Sequence, residues 1–370
     1  MIEKRIHIVA FDVPYPADYG GVIDIYFRIK ALHELGFKIT LHCFEYGRGE
    51  QSHLNNITEK VFYYKRQKSI LDTVSKRPFI VESRKSTLLL NRLLEDTEPI
   101  LFEGIHATWY LENKTIQNRI TYVRTHNIEQ DYYTALAKNA SGFKKIYYLS
   151  EAKKLKKYEP ILKNATHILS ISDADVFYFK RYSKNTVLLP ASLPEIHSTT
   201  FKLTSEFTLF TGNLSVNENE QAVRSIISTI WKKDKNLMPL KIAGKNPSDS
   251  LKHFIEENGV ELIANPSNDE MEKVLSKARV HLLVTEQTTG VKLKLLAALQ
   301  TSGHILVNPM MVEGTNLTEV CTVCFSTEEF ISNLKKFHTN ELNINKFNER
   351  QQFLKANFDT VINCNKVIKP

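Results

Sequence analysis

Four stretches of this 370-residue chain place glycine turns and ionisable side chains where a strand gives way to a helix. In PYPADYGGVIDIYFRIKALHELG, Tyr19, Gly20 and Gly21 precede a helix that starts near Val22. Glycines at such a turn let the backbone come close to a ligand, and the free N–H groups of the helix start favour an anion. In TYVRTHNIEQDYY a strand runs into His126 and Asn127. A histidine there either caps the next helix or, lying past a strand's carboxyl end, meets a ligand. In FTGNLSVNENEQAVRSII a strand, then Gly212 and Asn213, then a helix open the second half. In VHLLVTEQTTGVKLKLLAALQ, Glu286, Thr289, Gly290 and Val291 form a polar loop before a helix whose first turn holds Lys292 and Lys294. Cations there oppose the helix dipole at about 0.3–1 kcal/mol each, so the pair asks for an anion such as a diphosphate.

The elements that must hold these residues alternate. The runs 6–11, 39–44, 99–105, 120–126 and 167–172 read as strands, as do 207–212, 240–244, 260–264, 280–285 and 304–308, with helical patterns between them. A helix from Val22 to Leu35 ends at Gly36 as its C-cap. Such alternation predicts parallel sheets with crossover helices. Two prolines in VLLPASLP, Val187 to Pro194, mark a link between domains. We read residues 1–193 as one domain, 194–340 as a second, and 341–370 as a C-terminal helix returning toward the first. Ligands then sit outside the carboxyl ends of the strands, in a cleft that both domains face.

The chain's 42% hydrophobic and 24% charged residues exclude disordered and fibrous classes, and no apolar run approaches the roughly 20 residues of a membrane span. Four cysteines form no disulfide framework, and Cys321 and Cys324 read as strand thiols rather than a metal pair, which suits a cytoplasmic protein. Basic charge is concentrated early, with 29 Lys and Arg against 22 Asp and Glu in residues 1–195 and 20 against 19 afterwards. Much of it lies in SGFKKIYYLSEAKKLKKYEPILKNA, read as one long amphipathic helix with Ile146, Leu149, Ala152, Leu155 and Leu162 on its core side. Its lysines form either a solvated face or a surface for anionic lipid headgroups or a phosphorylated substrate. No nucleic-acid motif occurs. Dinucleotide, P-loop, hydrolase-elbow and zincin signatures are absent too.

The order and spacing of the four stretches resemble retaining glycosyltransferases of the GT-B fold, in which two Rossmann-like, doubly wound parallel-sheet domains face a cleft. Within that fold they are similar to family 4. RTHNIEQDYY, TGVKLKLLAALQ and MVEGT (311–315) look like a divergent bacterial group of cell-surface polysaccharide glycosyltransferases. The resemblance spans most of the chain and matches Gly20 and Gly21, His126, Gly212, and Ala243 with Gly244, beside which stands Lys245. It implies sugar transfer from a nucleotide sugar, UDP- or GDP-linked, to a glycan or lipid-linked acceptor. His126 would be the catalytic-site contact, and Tyr19 and Asn127 would lie on the acceptor side. Gly212, Asn213, Gly244, Lys245, Glu286, Thr289, Gly290, Val291, Lys292 and Lys294 would lie on the donor side. It also implies no metal or other cofactor. DAD at 173–175 reads as a helix start rather than an Asp-x-Asp cation site. The family's second donor-loop Glu, a ribose contact, falls on Leu295 to Ala298, which carry no carboxylate, and the Arg and Lys that usually hold the diphosphate after the Gly212 turn are missing from NLSVNENEQ. Either Lys292 and Lys294 take over the phosphate, as in this reading, or donor binding is lost. The basic first half fits an acceptor on a lipid diphosphate at an anionic inner membrane face. The alternatives are a non-catalytic nucleotide-sugar or glycan-binding member of the fold and a nucleotide-sugar epimerase, for which Glu103, Glu129 and Glu313 are the candidate carboxylates.

Overall fold

A computed structural model describes residues 3–67, 75–138, 140–193, 201–286 and 292–369. The chain divides into two compact units, one of residues 1–192 with 358–370 and one of residues 193–357.

The first unit is built on seven parallel strands, β1 (Lys4–Ala10), β2 (Phe37–Glu45), β3 (Lys60–Lys65), β4 (Ile100–Glu103), β5 (Thr121–Thr125), β6 (His167–Ser170) and β7 (Thr186–Leu188). They are ordered β3-β2-β1-β4-β5-β6-β7. A parallel sheet covered on both faces needs apolar residues of both parities. Ile8, Ala10 and Leu101 pack on one face with Ile25 and Ile29 of helix α1 (Gly20–Glu34). Val9, Phe102 and Val123 pack on the other. Gly36 has φ of +80°, as the C-cap reading requires.

Two further helices follow β5, α2 (Glu129–Lys138) and α3 (Gly142–Tyr158). The expected helix 141–165 ends its α-helical part at Tyr158 and continues as a 3₁₀ turn, Glu159–Asn164. Its apolar stripe is only partly in the core. Ala152, Leu155 and Leu162 are buried, but Ile146 is 65% and Leu149 41% exposed, because Tyr148 takes the inner position against Tyr133 of α2. Asp173 and Asp175 do open a helix, capped by Ser172.

The second unit holds six parallel strands, β8 (Ser205–Asn213), β9 (Leu240–Lys245), β10 (Glu261–Ala264), β11 (Ala278–Leu283), β12 (His304–Val307) and β13 (Thr322–Val323). Their order is β10-β9-β8-β11-β12-β13. Helices α4 (Asn217–Ile226) and α5 (Leu293–Leu299) follow β8 and β11. Helix α6 (Ile344–Phe358) belongs largely to this unit, since Arg350 donates to the carbonyls of Gly303 and Thr301. Only the last helix, α7 (Thr360–Val367), returns to the first unit, where Cys364 and Ile368 enter the core beneath α1. The 341–370 segment is thus two helices with different partners.

Candidate functional site

Each sheet reverses its winding once, between β1 and β4 in the first unit and between β8 and β11 in the second. Ligands of doubly wound sheets bind outside the carboxyl ends of the strands at such a switch point. Tyr19, Gly20, Gly21, His126, Asn127, Gly212, Asn213, Gly244, Lys245, Glu286, Lys292 and Lys294 lie at the carboxyl ends of strands or in the loops and helix starts that follow.

In the first unit the switch point is underlain by an ionic cluster. Asp24 and Arg28 sit one turn apart on α1, Glu103 ends β4, and Arg124 lies in β5; all four are buried. Arg28 bonds the Asp24 carboxylate and, at 2.8 Å, Glu103. Arg124 Nε lies 3.1 Å from Asp24, whose other oxygen accepts from the Ser192 N–H at 2.6 Å. Burial alone would raise the Asp24 carboxyl, but Arg124 and Arg28, with smaller help from His126, hold it well below the usual carboxylate range. Glu103 is lowered likewise against its own burial, first by Arg28 and then by His126.

His126 rests on this cluster. Its Nε2 is 3.1 Å from Glu103 Oε2, while Nδ1, 3.6 Å from Asp24, is beyond hydrogen-bond reach. The Phe11 ring meets it edge-on at 5.4 Å. Asp24, Glu103 and His126 bring ligand-type atoms within 4.8 Å of one another. Yet the two carboxylates are already matched by two guanidinium groups, so the set offers a divalent ion no net negative charge.

Gly20 and Gly21 form the first turn of α1, with Tyr19 as its N-cap residue and no side chain capping it. A Cβ on Gly21 would lie 2.6 Å from Phe11, so this turn is closed to larger residues unless Phe11 moves. Tyr19 donates to Asp12 at 2.6 Å. Asn127 hydrogen-bonds Glu129, which burial pushes up to about 7 against that bond.

In the second unit Gly212 pairs with Gly244, and Asn213 with Lys245, at the ends of β8 and β9. A Cβ on Gly244 would lie 2.0 Å from the Gly212 carbonyl oxygen, so only glycine fits. Asn219 of α4 donates to the Asn213 carbonyl at 2.9 Å and accepts from Lys294 Nζ at 2.8 Å. Lys294 also stands 4.9 Å over the Phe210 ring. Burial pulls its ammonium down to about 8, only partly offset by Glu218. Glu218 itself accepts from the Thr285 hydroxyl, and Asn308, just past β12, clamps the Thr285 backbone. Lys292 is the N-cap residue of α5, Lys245 is half-exposed, and Glu286 is exposed. Thr289, Gly290 and Val291 lie outside the described residues.

Asp24, Arg28, Arg124 and Asn219 were not singled out by sequence reasoning. The available signals were an acid and a base spaced i, i+4 within an otherwise apolar face of α1, and an arginine inside a parallel strand that must be buried on both faces.

No family model matches the sequence. An uncharacterised 44.6 kDa protein from the cps region of Klebsiella pneumoniae is 28% identical over 387 residues, covering 96% of this chain and 97% of that protein. Among solved structures, TarM aligns with a TM-score of 0.71 at 11% identity, covering 98% of this chain and 97% of that one. WaaG, a glycosyltransferase involved in lipopolysaccharide biosynthesis, aligns with a TM-score of 0.65 at 13% identity and 98% coverage of both chains. Anabaena HepE in complex with UDP and glucose gives 0.65 at 10% identity, again covering 98% of both. The two parallel-sheet α/β domains are those of the GT-B fold.

Proposed function

We propose that this protein is a glycosyltransferase of the family 4 type, from its divergent bacterial polysaccharide group. In this reading it moves a sugar from a UDP- or GDP-linked donor to a glycan or lipid-linked acceptor, with retention, in cell-surface polysaccharide synthesis. The observation that carries it is Lys294. This part-buried ammonium at the switch point of the second sheet is hydrogen-bonded by a neutral amide, and Glu218 offsets only part of the cost of its burial. A charge kept that way is a poor stabiliser of the fold and a good binder of a diphosphate. The fold shared with WaaG, the UDP and glucose bound by HepE, and the relative in a cps (capsule) region support the same reading.

The second unit would then hold the nucleotide through the Gly212–Gly244 turns, Lys292 and Lys294, with Glu286, Thr289, Gly290 and Val291 beside them. The first would offer Gly20, Gly21, Tyr19, His126 and Asn127 to the transferred sugar and acceptor. Charge developing on the leaving diphosphate is met by fixed cations and main-chain N–H groups, which needs no reorganisation during the reaction. The reading includes no metal, its cationic role falling to the lysines. A thermal-shift screen against UDP-, GDP- and other nucleotide sugars tests the donor site. One nucleotide should raise Tm, and Lys292→Ala and Lys294→Ala should remove the rise; no shift with any nucleotide would defeat the reading.

His126→Ala should slow turnover about 10²-fold with the circular dichroism spectrum unchanged, and a fully active variant would remove His126 from the site.

A peripheral contact with an anionic membrane belongs to the same proposal. On α3, Phe143 is 93% and Ile146 65% exposed, among Lys144, Lys145, Lys153 and Lys156. Apolar side chains flanked by lysines suit the headgroup layer. The protein should sediment with phosphatidylglycerol vesicles at low salt, and a Phe143→Ser, Ile146→Ser double variant should stay in the supernatant. Equal sedimentation of both would discard the helix as the contact.

A further inference from the structure

Among its described residues the first unit contains four buried arginines, Arg28, Arg84, Arg119 and Arg124. Three pair with carboxylates: Arg28 with Asp24 and Glu103, Arg119 with Asp96, Arg124 with Asp24. Arg84 does not. It is 2% exposed and donates to the carbonyls of Phe11, at 2.9 Å, and Ile80, at 2.5 Å. Its neighbour is a second cation. Arg66, just past the end of β3, donates from Nε to Ser83 Oγ at 3.0 Å and lies over the Tyr46 ring at 4.6 Å, while Arg84 lies over the same ring at 5.7 Å. Neither guanidinium forms an ion pair among the described residues.

The acidic groups around them form no ion pair with either. Asp12 offsets part of the burial cost of Arg84 from a distance, but its hydrogen bonds go to the Tyr19 hydroxyl and the Val13 N–H. Glu151 is occupied by Lys154 and the Phe79 N–H. His106, which follows β4, is held far below its usual range by burial first and then by Arg84, and its buried Nδ1 has no partner. Two like charges are therefore kept together beside a neutral imidazole, past the ends of β1, β3 and β4, where the sheet presents ligands. Holding them unpaired costs stability, and an anion bound there would offset the cost.

We infer that Arg66 and Arg84 form an anion subsite in the first unit that receives an acidic group of the acceptor, a sugar carboxylate or a phosphate. The inference rests on the transferase reading for the word acceptor and on the arginine pair alone for the anion. Arg84, fixed by two carbonyls, supplies the standing charge. Arg66, stacked on Tyr46 and only partly buried, can turn its free guanidinium edge to the ligand.

Isothermal titration of the full chain, with UDP first saturating the donor site, tests this. Methyl glucuronoside, neutral methyl glucoside and inorganic pyrophosphate serve as probes, on the unaltered protein and on Arg66→Gln, which spares the backbone bonds made by Arg84. The glucuronoside or the pyrophosphate should bind, the glucoside should not, and Arg66→Gln should weaken the bound anion about tenfold, the usual worth of one charge-assisted hydrogen bond. A response to the glucuronoside alone assigns a uronic-acid acceptor, and one to pyrophosphate alone assigns a lipid-linked phosphate. Binding of neither anion, glucoside binding as tight as glucuronoside, or anion affinity unchanged in Arg66→Gln would overturn the subsite. If UDP fails to bind while the anions still respond to Arg66→Gln, the donor reading falls and the subsite stands.

Discussion

Lys294→Met should lower kcat/KM for the nucleotide sugar by about 10²- to 10³-fold, the usual cost of removing one preorganised charge from a leaving group. The Tm of the ligand-free protein should fall by no more than a few degrees, because the substitution removes an ammonium that burial penalises more than Glu218 supports it. That combination separates a binding role from a structural one. Burial brings the ammonium to about 8, so its charge is present below that pH and lost as pH rises through it. Donor affinity of the unaltered enzyme should therefore fall on the alkaline side, as measured by kcat/KM against pH. Lys294→Met should flatten that limb. A variant with undiminished kcat/KM would remove Lys294 from the donor site.

The second large effect is on stability. Arg28→Met would leave the fully buried Glu103 with His126 as its remaining hydrogen-bond partner, and Asp24 with Arg124 and the Ser192 N–H. Breaking a buried ion pair from one side costs about 3–5 kcal/mol, which for a unit of this size is a fall of roughly 10 °C in Tm. The acid dependence follows from the same contacts. Asp24 and Glu103 titrate below their ordinary values of 3.8 and 4.5 because of the arginines, against the effect of burial. Their contribution is complete above those values and is lost as pH falls through the lowered ones. The unaltered protein should thus lose stability in the acid range below about 4, and Arg28→Met should lose much of that dependence. Differential scanning calorimetry at neutral and acid pH measures both. An unchanged Tm would show that the cluster does not support the fold.

The central strands were legible because a strand covered on both faces must read as an apolar run, as IHIVAF and VHLLVT do. The strands that escaped, β3 and β7, are the outermost of their sheet, and KVFYYK carries an exposed lysine at each end with only Tyr64 buried. An edge strand needs only part of the apolar signal. The glycine turns were legible for a similar reason, since few residues other than glycine fit where Gly244 meets the Gly212 carbonyl. The arginines were not. Whether an arginine is buried and paired depends on residues up to 100 positions away, as Arg124 depends on Asp24, and periodicity within one helix or strand carries no trace of such a partner.

The return of α7 to the first unit has a consequence for how the protein is made. Cys364 and Ile368 fill the core beneath Ile25 and Ile29, and the Lys369 N–H reaches the Tyr122 hydroxyl at 3.0 Å. The ribosome supplies these residues only after the whole of 193–357, so the nascent amino-terminal sheet waits with one flank of α1 uncovered while the other unit is translated. The first unit is thus completed only after the second has been made, and a lesion near residue 364 would be felt more than 300 residues upstream, at α1.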